Sequence, residues 1–312
     1  NSDYAVTLSS LPDLKSYPIS SDNTQITLDS TSKEVTYGDS ITLKASVTSD
    51  TPQTVTWKSS NTAVATVKDG VVTATGKGTA KITASLPNGR SAVCTVKVTT
   101  KKLPTSGYSY ASTAQYTGSA IIPTVTVKDG SKVLRQNIDY RVIVTNNVKI
   151  GHANITISGM GNYYGSYTAG FDIIPAKQTI QKLETRYKGF FVDWAQKGSA
   201  TGYDIQYSTS ANMSGAASKH LTANKPDNLT ISGLTADKTY YVRVRSYTNV
   251  GSKTYYGPWS DIKNIKTAKY DITKASVSGI STKAYTGKAI TQNITVKYNG
   301  TALKNGTDYT TS

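Results

Sequence analysis

Apolar and polar residues alternate along most of the chain between residues 24 and 100. Every second position is apolar in several short runs, as in Ile41, Leu43, Ala45 and Val47. This period of two predicts β-strands with one buried face. Turn signals separate the runs, and Asp69-Gly70 is typical of a tight hairpin. Short strands separated by turns in this way predict a small β-sandwich.

Residues 101–177 continue the alternation with shorter runs and more glycine. Val125 and Val127 alternate before the turn at Asp129-Gly130. Glycine permits tight turns and bulges between short strands. We therefore expect a second all-β unit here.

Residues 178–268 contain a long alternating run at 240–247, in which Val242 and Val244 are each followed by an arginine. Shorter runs precede it at 190–194 and 202–207. These patterns predict a third unit, again a β-sandwich.

Residues 269–312 repeat the beginning of the second unit. Tyr116-Thr117-Gly118 recurs as Tyr285-Thr286-Gly287, and Asp139-Tyr140 recurs at the same offset as Asp308-Tyr309. Internal repetition predicts an array of modules. The second copy stops after its Asp-Tyr, so we expect the protein to continue beyond Ser312. Because a partial β module leaves strand edges unpaired, we expect this stub to be poorly ordered or paired with a neighbouring molecule.

Residues 1–22 show little pattern and are interpreted as a linker or the end of an upstream module. The chain begins at Asn1 rather than at a methionine or a signal peptide. We interpret it as a piece of a larger protein.

Residues 23–100 carry motifs of a known family. Trp57-Lys58-Ser59-Ser60-Asn61, Val64-Ala65-Thr66-Val67 and Gly78-Thr79-Ala80 resemble the bacterial immunoglobulin-like domain, group 2. The resemblance implies an extracellular module of a bacterial surface protein. It also implies that Trp57 is a core residue.

Two further resemblances cover the rest of the chain. Gly257-Pro258-Trp259-Ser260 and the runs before it make residues 178–268 similar to a fibronectin type III domain. That fold implies a core position for Trp194 and a tyrosine corner formed by Leu234 and Tyr240. The Tyr and Gly markers of 101–177 resemble the MBG-like repeats of Gram-positive surface proteins, and 269–312 is a truncated second copy. The fold class is thus all-β, a tandem array of small Ig-like and fibronectin-like sandwiches.

Composition excludes several classes of protein. The 312 residues include one Cys and two His, which exclude an intrachain disulfide and a Cys/His zinc cluster. No apolar run reaches the roughly 18 residues of a membrane span. The 22 Tyr against 3 Phe and 3 Trp suit thin sandwiches, in which a ring is half buried and its hydroxyl reaches a polar partner.

The sequence shows no catalytic motif, and we predict a chain that is not an enzyme and has no cofactor or metal. Asp139 and Asp308 occupy equivalent repeat positions, which favours a structural role over a catalytic one. We interpret Cys94 as a buried small hydrophobe, His152 as a turn or strand residue and His220 as a solvated loop residue.

Aromatic residues are the candidates for ligand contact. Possible contacts are Tyr255, Tyr256, Trp259, Tyr163, Tyr164 and Tyr167. The alternatives are a position at the edge of the core for Trp259 and packing between modules for the tyrosines near 163.

Basic residues outnumber acidic ones, with 35 Lys and Arg against 19 Asp and Glu and a net charge of +16. The lysines are spread over all units rather than gathered in one stripe, so we do not expect nucleic acid as a partner. Anionic cell-wall or surface glycans, or a host or dietary glycan or protein, are the candidate partners of a monomer. The alternative is that the charge only keeps the chain soluble.

Together these features favour a non-catalytic stalk or spacer, with an adhesive role, in a cell-surface or secreted bacterial protein. Each module should be roughly 30–40 Å long and the chain about 100–140 Å. One alternative is an adhesin that binds glycans through its aromatic residues. Another is an accessory region of a multidomain glycan-degrading enzyme.

Overall fold

The computed structural model describes residues 23–311, and the linker predicted over 1–22 lies outside them. The chain divides into two compact units. The first comprises the described residues up to Tyr108, with Thr126–Val142 and Ile157–Tyr167; the second comprises Ser109–Val125, Ile143–Thr156 and the residues from Thr168. Among the described residues the one helical element is a 3-10 turn at Ile272–Lys274. The predicted all-β class is confirmed.

Nine strands in the described part of the first unit form the predicted sandwich. They are β1 (Gln25–Leu28), β2 (Ser32–Thr36), β3 (Ser40–Thr42), β4 (Ala45–Thr48), β5 (Thr56–Ser59), β6 (Ala65–Lys68), β7 (Val71–Ala74), β8 (Gly78–Ser85) and β9 (Ser91–Thr99). The strand orders are β2-β9-β8-β5 and β3-β7-β6, with β1 paired to β4. β2 runs parallel to β9, and β8 pairs antiparallel with β9.

The apolar face of the alternating pattern forms the core of this sandwich. Its fully or nearly fully buried residues include Val35, Leu43, Val72, Ile82, Cys94 and Val96. Trp57 is half buried and packs both against this cluster and against a smaller one around Ile26. Burial of Cys94 agrees with its interpretation as a small hydrophobe.

The Asp69-Gly70 hairpin forms as the sequence predicted. Lys68 pairs with Val71, so two residues make the loop, and their φ angles are +50° and +83°. A Cβ atom on Gly70 would lie 2.6 Å from the carbonyl oxygen of Leu43. Both the backbone conformation and the space therefore require glycine at this position.

The next nine strands range from two to nine residues in length. They are β10 (Lys101–Lys102), β11 (Tyr108–Ser109), β12 (Thr113–Gln115), β13 (Thr126–Asp129), β14 (Lys132–Val133), β15 (Tyr140–Thr145), β16 (Gly151–Gly159), β17 (Tyr163–Tyr164) and β18 (Ser166–Ile174). The sheets are β11-β13-β14 and β12-β18-β16-β15, and β10 pairs with β17.

Two sheets of the second unit form the other predicted sandwich. Its strands are β19 (Ile180–Arg186), β20 (Gly189–Trp194), β21 (Gly202–Ser208), β22 (Ala217–Leu221), β23 (Asn228–Ile231), β24 (Thr239–Val250), β25 (Lys253–Tyr256) and β26 (Lys263–Lys266). One sheet has the order β19-β20-β23, and the other has β22-β21-β24-β25 with β26 also on β24. Phe190, Trp194, Tyr203 and Val244 are fully buried between them.

Residues 269–311 form β27 (Ser276–Ser278), β28 (Thr295–Tyr298) and β29 (Thr301–Ala302), where the sequence predicted poor order. They make one antiparallel sheet in that order. Val296 and Leu303 are buried beneath it, at 2% and 7% exposure. Leu303 N donates to Val296 O at 2.8 Å and extends the pairing between β28 and β29.

Candidate functional site

The three aromatic candidates of the β22-β21-β24-β25 sheet differ in their exposure. Tyr255 is 6% exposed, whereas its neighbour Tyr256 is 42% exposed. Trp259, which follows β25, is half buried. Burial leaves Tyr255 almost no surface for a ligand, so the contact surface is smaller than the sequence predicted.

Trp259 is held between two arginines of β24. The guanidinium carbons of Arg243 and Arg245 are each 4.5 Å from the centroid of its ring, and Arg245 lies 4.0 Å from the ring centroid of Tyr256. Alternate residues of a strand leave the same face about 7 Å apart, so a ring that contacts both guanidiniums lies between them. The two guanidiniums cover part of the half-buried Trp259 ring, which leaves less of its surface to a ligand.

Polar side chains of β21 and β22 fix the two arginines. Arg245 Nε donates to Asp204 Oδ2 at 2.9 Å, and His220 Nδ1 lies 2.6 Å from Asp204 Oδ1. Arg243 Nε and Nη2 both donate to Gln206 Oε1, at 2.9 and 2.6 Å. Burial, and then the charge of Arg245, lower the pKa of Arg243. We call Asp204, Gln206, Arg243, Arg245, Tyr256 and Trp259 the arginine face.

His220 lies in strand β22 rather than in the loop that the sequence predicted. Its partner residue in the ladder is Asp204, and its ring stacks on Tyr247 with centroids 4.8 Å apart. The polar Ser-Lys-His stretch suggested a loop because β22 is an edge strand with both sides largely exposed.

The tyrosines near 163 also have different surroundings. Tyr163 is 3% exposed, Tyr164 is 51% exposed, and Tyr167 stacks on Tyr108 with ring centroids 3.7 Å apart. Tyr164 therefore keeps most of its surface for contact, whereas Tyr163 is packed inside the first unit.

Tyr163 belongs to a cluster within the first unit that we call the Asp129 cluster: Tyr37, Lys101, Asp129 and Tyr163. The Tyr163 hydroxyl donates to Asp129 Oδ2 at 3.0 Å, and Lys101 Nζ is 2.8 Å from the same oxygen. The rings of Tyr37 and Tyr163 meet edge to face at 5.5 Å. Burial alone raises the pKa of Asp129, but the hydrogen bonds from Lys101 and Tyr163 and the nearby lysine charges outweigh it, so this pKa is lowered.

The chain that leaves the first sandwich is itself a strand of the next segment. β10 pairs in parallel with β17, so Lys101 faces Tyr163 and Lys102 faces Tyr164. Lys101 N donates to Asn162 O at 2.8 Å, and Lys77 N donates to Asn162 Oδ1 at 2.7 Å. Asn162 therefore contacts both the sandwich and the strand that leaves it.

Ion pairs within the second unit join the end of β18 to the second sandwich. Asp172 lies 2.7 Å from Lys253 Nζ and 2.8 Å from His152 Nδ1. Lys177 Nζ is 2.6 Å from Asp261. Burial raises the pKa of Asp172, but the hydrogen bonds from Lys253 and His152 outweigh it and lower this pKa.

Comparison with known families identifies both sandwiches. Residues 22–96 match the model of the bacterial Ig-like domain (group 2), and residues 178–262 match that of the fibronectin type III domain. The chain contains one domain of each family. The MBG-like resemblance of residues 101–177 remains a prediction.

The similarity to individual relatives and solved structures is limited. A lacto-N-biosidase of Bifidobacterium bifidum is 57% identical over 51 residues, which are 16% of this chain and 5% of that protein. The chain therefore spans only a small part of this curated relative. The FN1-FN3 domains of chicken CNTN1 have 12% identity and a TM-score of 0.28, covering 80% of this chain and all of that one. Three titin domains have 14% identity and a TM-score of 0.26, covering 77% and 97%.

The fibronectin domain contains the tyrosine corner that its family implies. Tyr240 is 8% exposed, and its hydroxyl accepts a hydrogen bond from Thr235 N at 3.2 Å. Leu234 is half buried and packs against the core. Trp194 is fully buried, 5.2 Å from the ring of Tyr203.

Asp139 and Asp308 make the same local contact in the two repeat copies. Asp139 Oδ2 accepts from Arg135 N at 2.9 Å, and Asp308 Oδ2 accepts from Lys304 N at 3.0 Å. Each carboxylate closes a turn that spans five residues. This contact supports the structural role that repetition suggested.

Within residues 23–311, no group of three or more His, Cys, Asp or Glu side chains is placed to hold a metal ion. Burial raises the pKa of the Cys94 thiol, which disfavours the reactive thiolate. No helix of this described range is long and apolar enough to cross a membrane.

Proposed function

We propose that this chain is a non-catalytic spacer in a larger extracellular bacterial protein. Bacterial Ig-like and fibronectin type III domains are typical of modular extracellular proteins, which supports this proposal. A spacer must hold its two ends at a defined separation. The chain has one Cys, so stiffness has to come from packing rather than from disulfides.

The observation that carries the proposal is the strand pairing of β10 with β17. A flexible linker would leave the Ig-like domain free to rotate, but here the residues after it are hydrogen-bonded into the following segment. The Asp129 cluster adds an edge-to-face ring contact and two charge-assisted hydrogen bonds to one carboxylate. Contacts of these kinds contribute about 0.5–1.5 and about 1.5–3 kcal/mol each. Bending at this point has to break several of them together.

Nitrogen-15 relaxation of the full chain tests the stiffness directly. We expect amides of the Ig-like domain and of β17 to report the same rotational correlation time. Tyr163→Ala should separate the two values, because it removes the ring contact and the hydroxyl bond to Asp129. Tyr164→Ala is the matched control, since that exposed neighbour makes neither contact. Independent correlation times in the wild type would contradict a rigid spacer.

The second candidate function is an accessory region of a glycan-degrading enzyme. The observation that favours it is the short, 57% identical match to a protein named lacto-N-biosidase. Sequencing the gene on both sides of these 312 residues tests this function. A glycoside hydrolase domain in the same reading frame would support it, and its absence from the complete reading frame would refute it.

A further inference from the structure

Within residues 23–311, one cation of the arginine face, Arg243, has no acidic partner. Arg245 is paired with Asp204, but Arg243 is held by the neutral amide of Gln206. Its two bonded N–H groups share the single oxygen Oε1, and a guanidinium has five donors. Within the described residues, Arg243 therefore has N–H donors that face no protein acceptor.

The position of Arg243 is fixed before any ligand arrives. Gln206 holds one side of the guanidinium, and the Trp259 ring lies 4.5 Å from its carbon. Gln206 is itself oriented by a hydrogen bond from Nε2 to Ser218 Oγ at 3.2 Å. A preorganised, partly desolvated guanidinium loses little entropy on binding, and its planar fork matches a carboxylate.

The neighbouring groups suit a polyhydroxylated ligand. A carboxylate, an amide, a hydroxyl and an imidazole follow one another across β21 and β22, in Asp204, Gln206, Ser218 and His220. These groups offer both donors and acceptors near Arg243, and Tyr256 adds an exposed phenol at the end of the face. An acidic sugar presents a carboxylate surrounded by hydroxyls, whereas an acidic peptide presents carboxylates on flexible apolar stems.

We propose that the arginine face binds the carboxylate of an acidic glycan, with Arg243 as the residue that contacts it. In this site Gln206 and Trp259 are positioning residues, and Ser218 and His220 lie beside the sugar hydroxyls. This binding site does not depend on the spacer function. A rigid chain could lack the site, and a flexible chain could have it, so the two proposals can fail separately.

The test is calorimetric titration of the full chain with oligogalacturonate, which carries one carboxylate per sugar. The fully methyl-esterified oligosaccharide is the matched ligand control, because it keeps the sugar and removes the charge. We expect saturable binding of the acid and at least tenfold weaker binding of the ester. Polyglutamate of similar length tests an acidic peptide as the alternative partner.

Three variants assign the binding to Arg243. Arg243→Gln should weaken binding about tenfold or more, and Arg243→Lys should restore only part of it because an ammonium lacks the planar fork. Ser218→Glu keeps Arg243 itself but removes the hydroxyl that orients Gln206 and adds a carboxylate beside it, so it should also weaken binding, through repulsion of the ligand carboxylate and a less fixed Arg243. Arg186→Gln is the control, since it removes an exposed arginine from the other sheet of the same domain.

Several results would overturn the proposal. They are absence of binding, equal binding of acid and ester, equal binding of polyglutamate, or equal losses from Arg186→Gln and Arg243→Gln. If circular dichroism shows that the Arg243→Gln variant does not fold, Ser218→Glu becomes the test of the site. Unchanged binding by a folded Ser218→Glu would then refute the site.

Discussion

The tyrosine corner gives the most direct prediction for a single residue. Tyr240→Phe keeps the ring in the core but leaves Thr235 N without its acceptor. This hydrogen bond is part-buried, and such a bond contributes about 0.5–1.5 kcal/mol, so the free energy of unfolding of the fibronectin domain should fall by that amount. Hydrogen exchange of the β24 amides at increasing urea concentration measures this change in the free energy of unfolding. Tyr256→Phe, on the exposed neighbouring strand, should change it by less than about 0.5 kcal/mol, and equal effects would contradict the role of the corner.

Alanine substitutions at two glycines of the Ig-like domain distinguish the cost of backbone strain from the cost of a steric clash. Gly70 and Gly89 have nearly the same φ, +83° and +87°, but a Cβ on Gly70 would lie 2.6 Å from Leu43 O, whereas one on Gly89 meets nothing within 4 Å. Gly89→Ala should therefore cost about 1 kcal/mol from strain alone. Gly70→Ala should cost at least about twice as much, because the hairpin must also move away from Leu43. Urea unfolding monitored by Trp57 fluorescence compares the free energies of unfolding of the two variants. Equal losses would show that the hairpin moves away from Leu43 at no cost.

Side-chain direction explains which candidate residues the sequence could identify. Adjacent strand residues point to opposite faces, so Tyr255 and Tyr256 could not both be contact residues once β25 was recognised. The run Val242-Arg243-Val244-Arg245 shows the same rule, with the valines buried and the arginines outside. The pairing of Arg243 with Gln206 and of Arg245 with Asp204 depends on the register between β21 and β24, which one sequence does not reveal. The arginine face was missed for that reason.

At the scale of elements, the Asp129 cluster should make stability depend on pH. The pKa of Asp129 is lowered in the folded chain, so its stabilising effect is present above the unfolded pKa of about 4 and is lost as the pH falls through the folded pKa. Asp129→Asn should lower the urea midpoint of the first unit at pH 7, since it removes the charge that Lys101 and Tyr163 contact.

The difference between wild type and Asp129→Asn should shrink as the pH falls from about 4 through the lowered folded pKa of Asp129, because the unfolded chain binds its proton first. Asp50→Asn serves as the control, because that exposed carboxylate lies in a loop of the same compact unit. A midpoint difference that stays constant between pH 3 and pH 7 would show that the hydrogen bonds of Asp129, rather than its charge, stabilise the cluster.

At the scale of elements, the sequence predicted the repeated turns but not the partner of β10. Repetition predicted a structural role for Asp139 and Asp308, and both carboxylates accept a backbone hydrogen bond in the same turn. The partners of β10 were not predictable. Lys101 pairs with Tyr163, which is distant in sequence, and a two-residue strand carries too little pattern to indicate a partner. The hydrogen bonding of this strand was therefore not predicted from the sequence.

For the whole molecule, the net charge of +16 predicts adsorption to anionic surfaces that depends on the number of charges rather than on one site. Lys58 and Lys283 are exposed residues of different segments, so Lys58→Gln and Lys283→Gln should weaken binding to Gram-positive cell walls by similar small factors. Raising the salt from about 50 to 500 mM shortens the screening length to about 4 Å and should remove most of this binding.

Oligogalacturonate bound at the arginine face should resist salt better, because a partly buried guanidinium is screened less than an exposed ammonium. Wall binding that survives 500 mM salt but disappears in Arg243→Gln would show that adhesion depends on that one face, and the distributed charge would then serve only solubility.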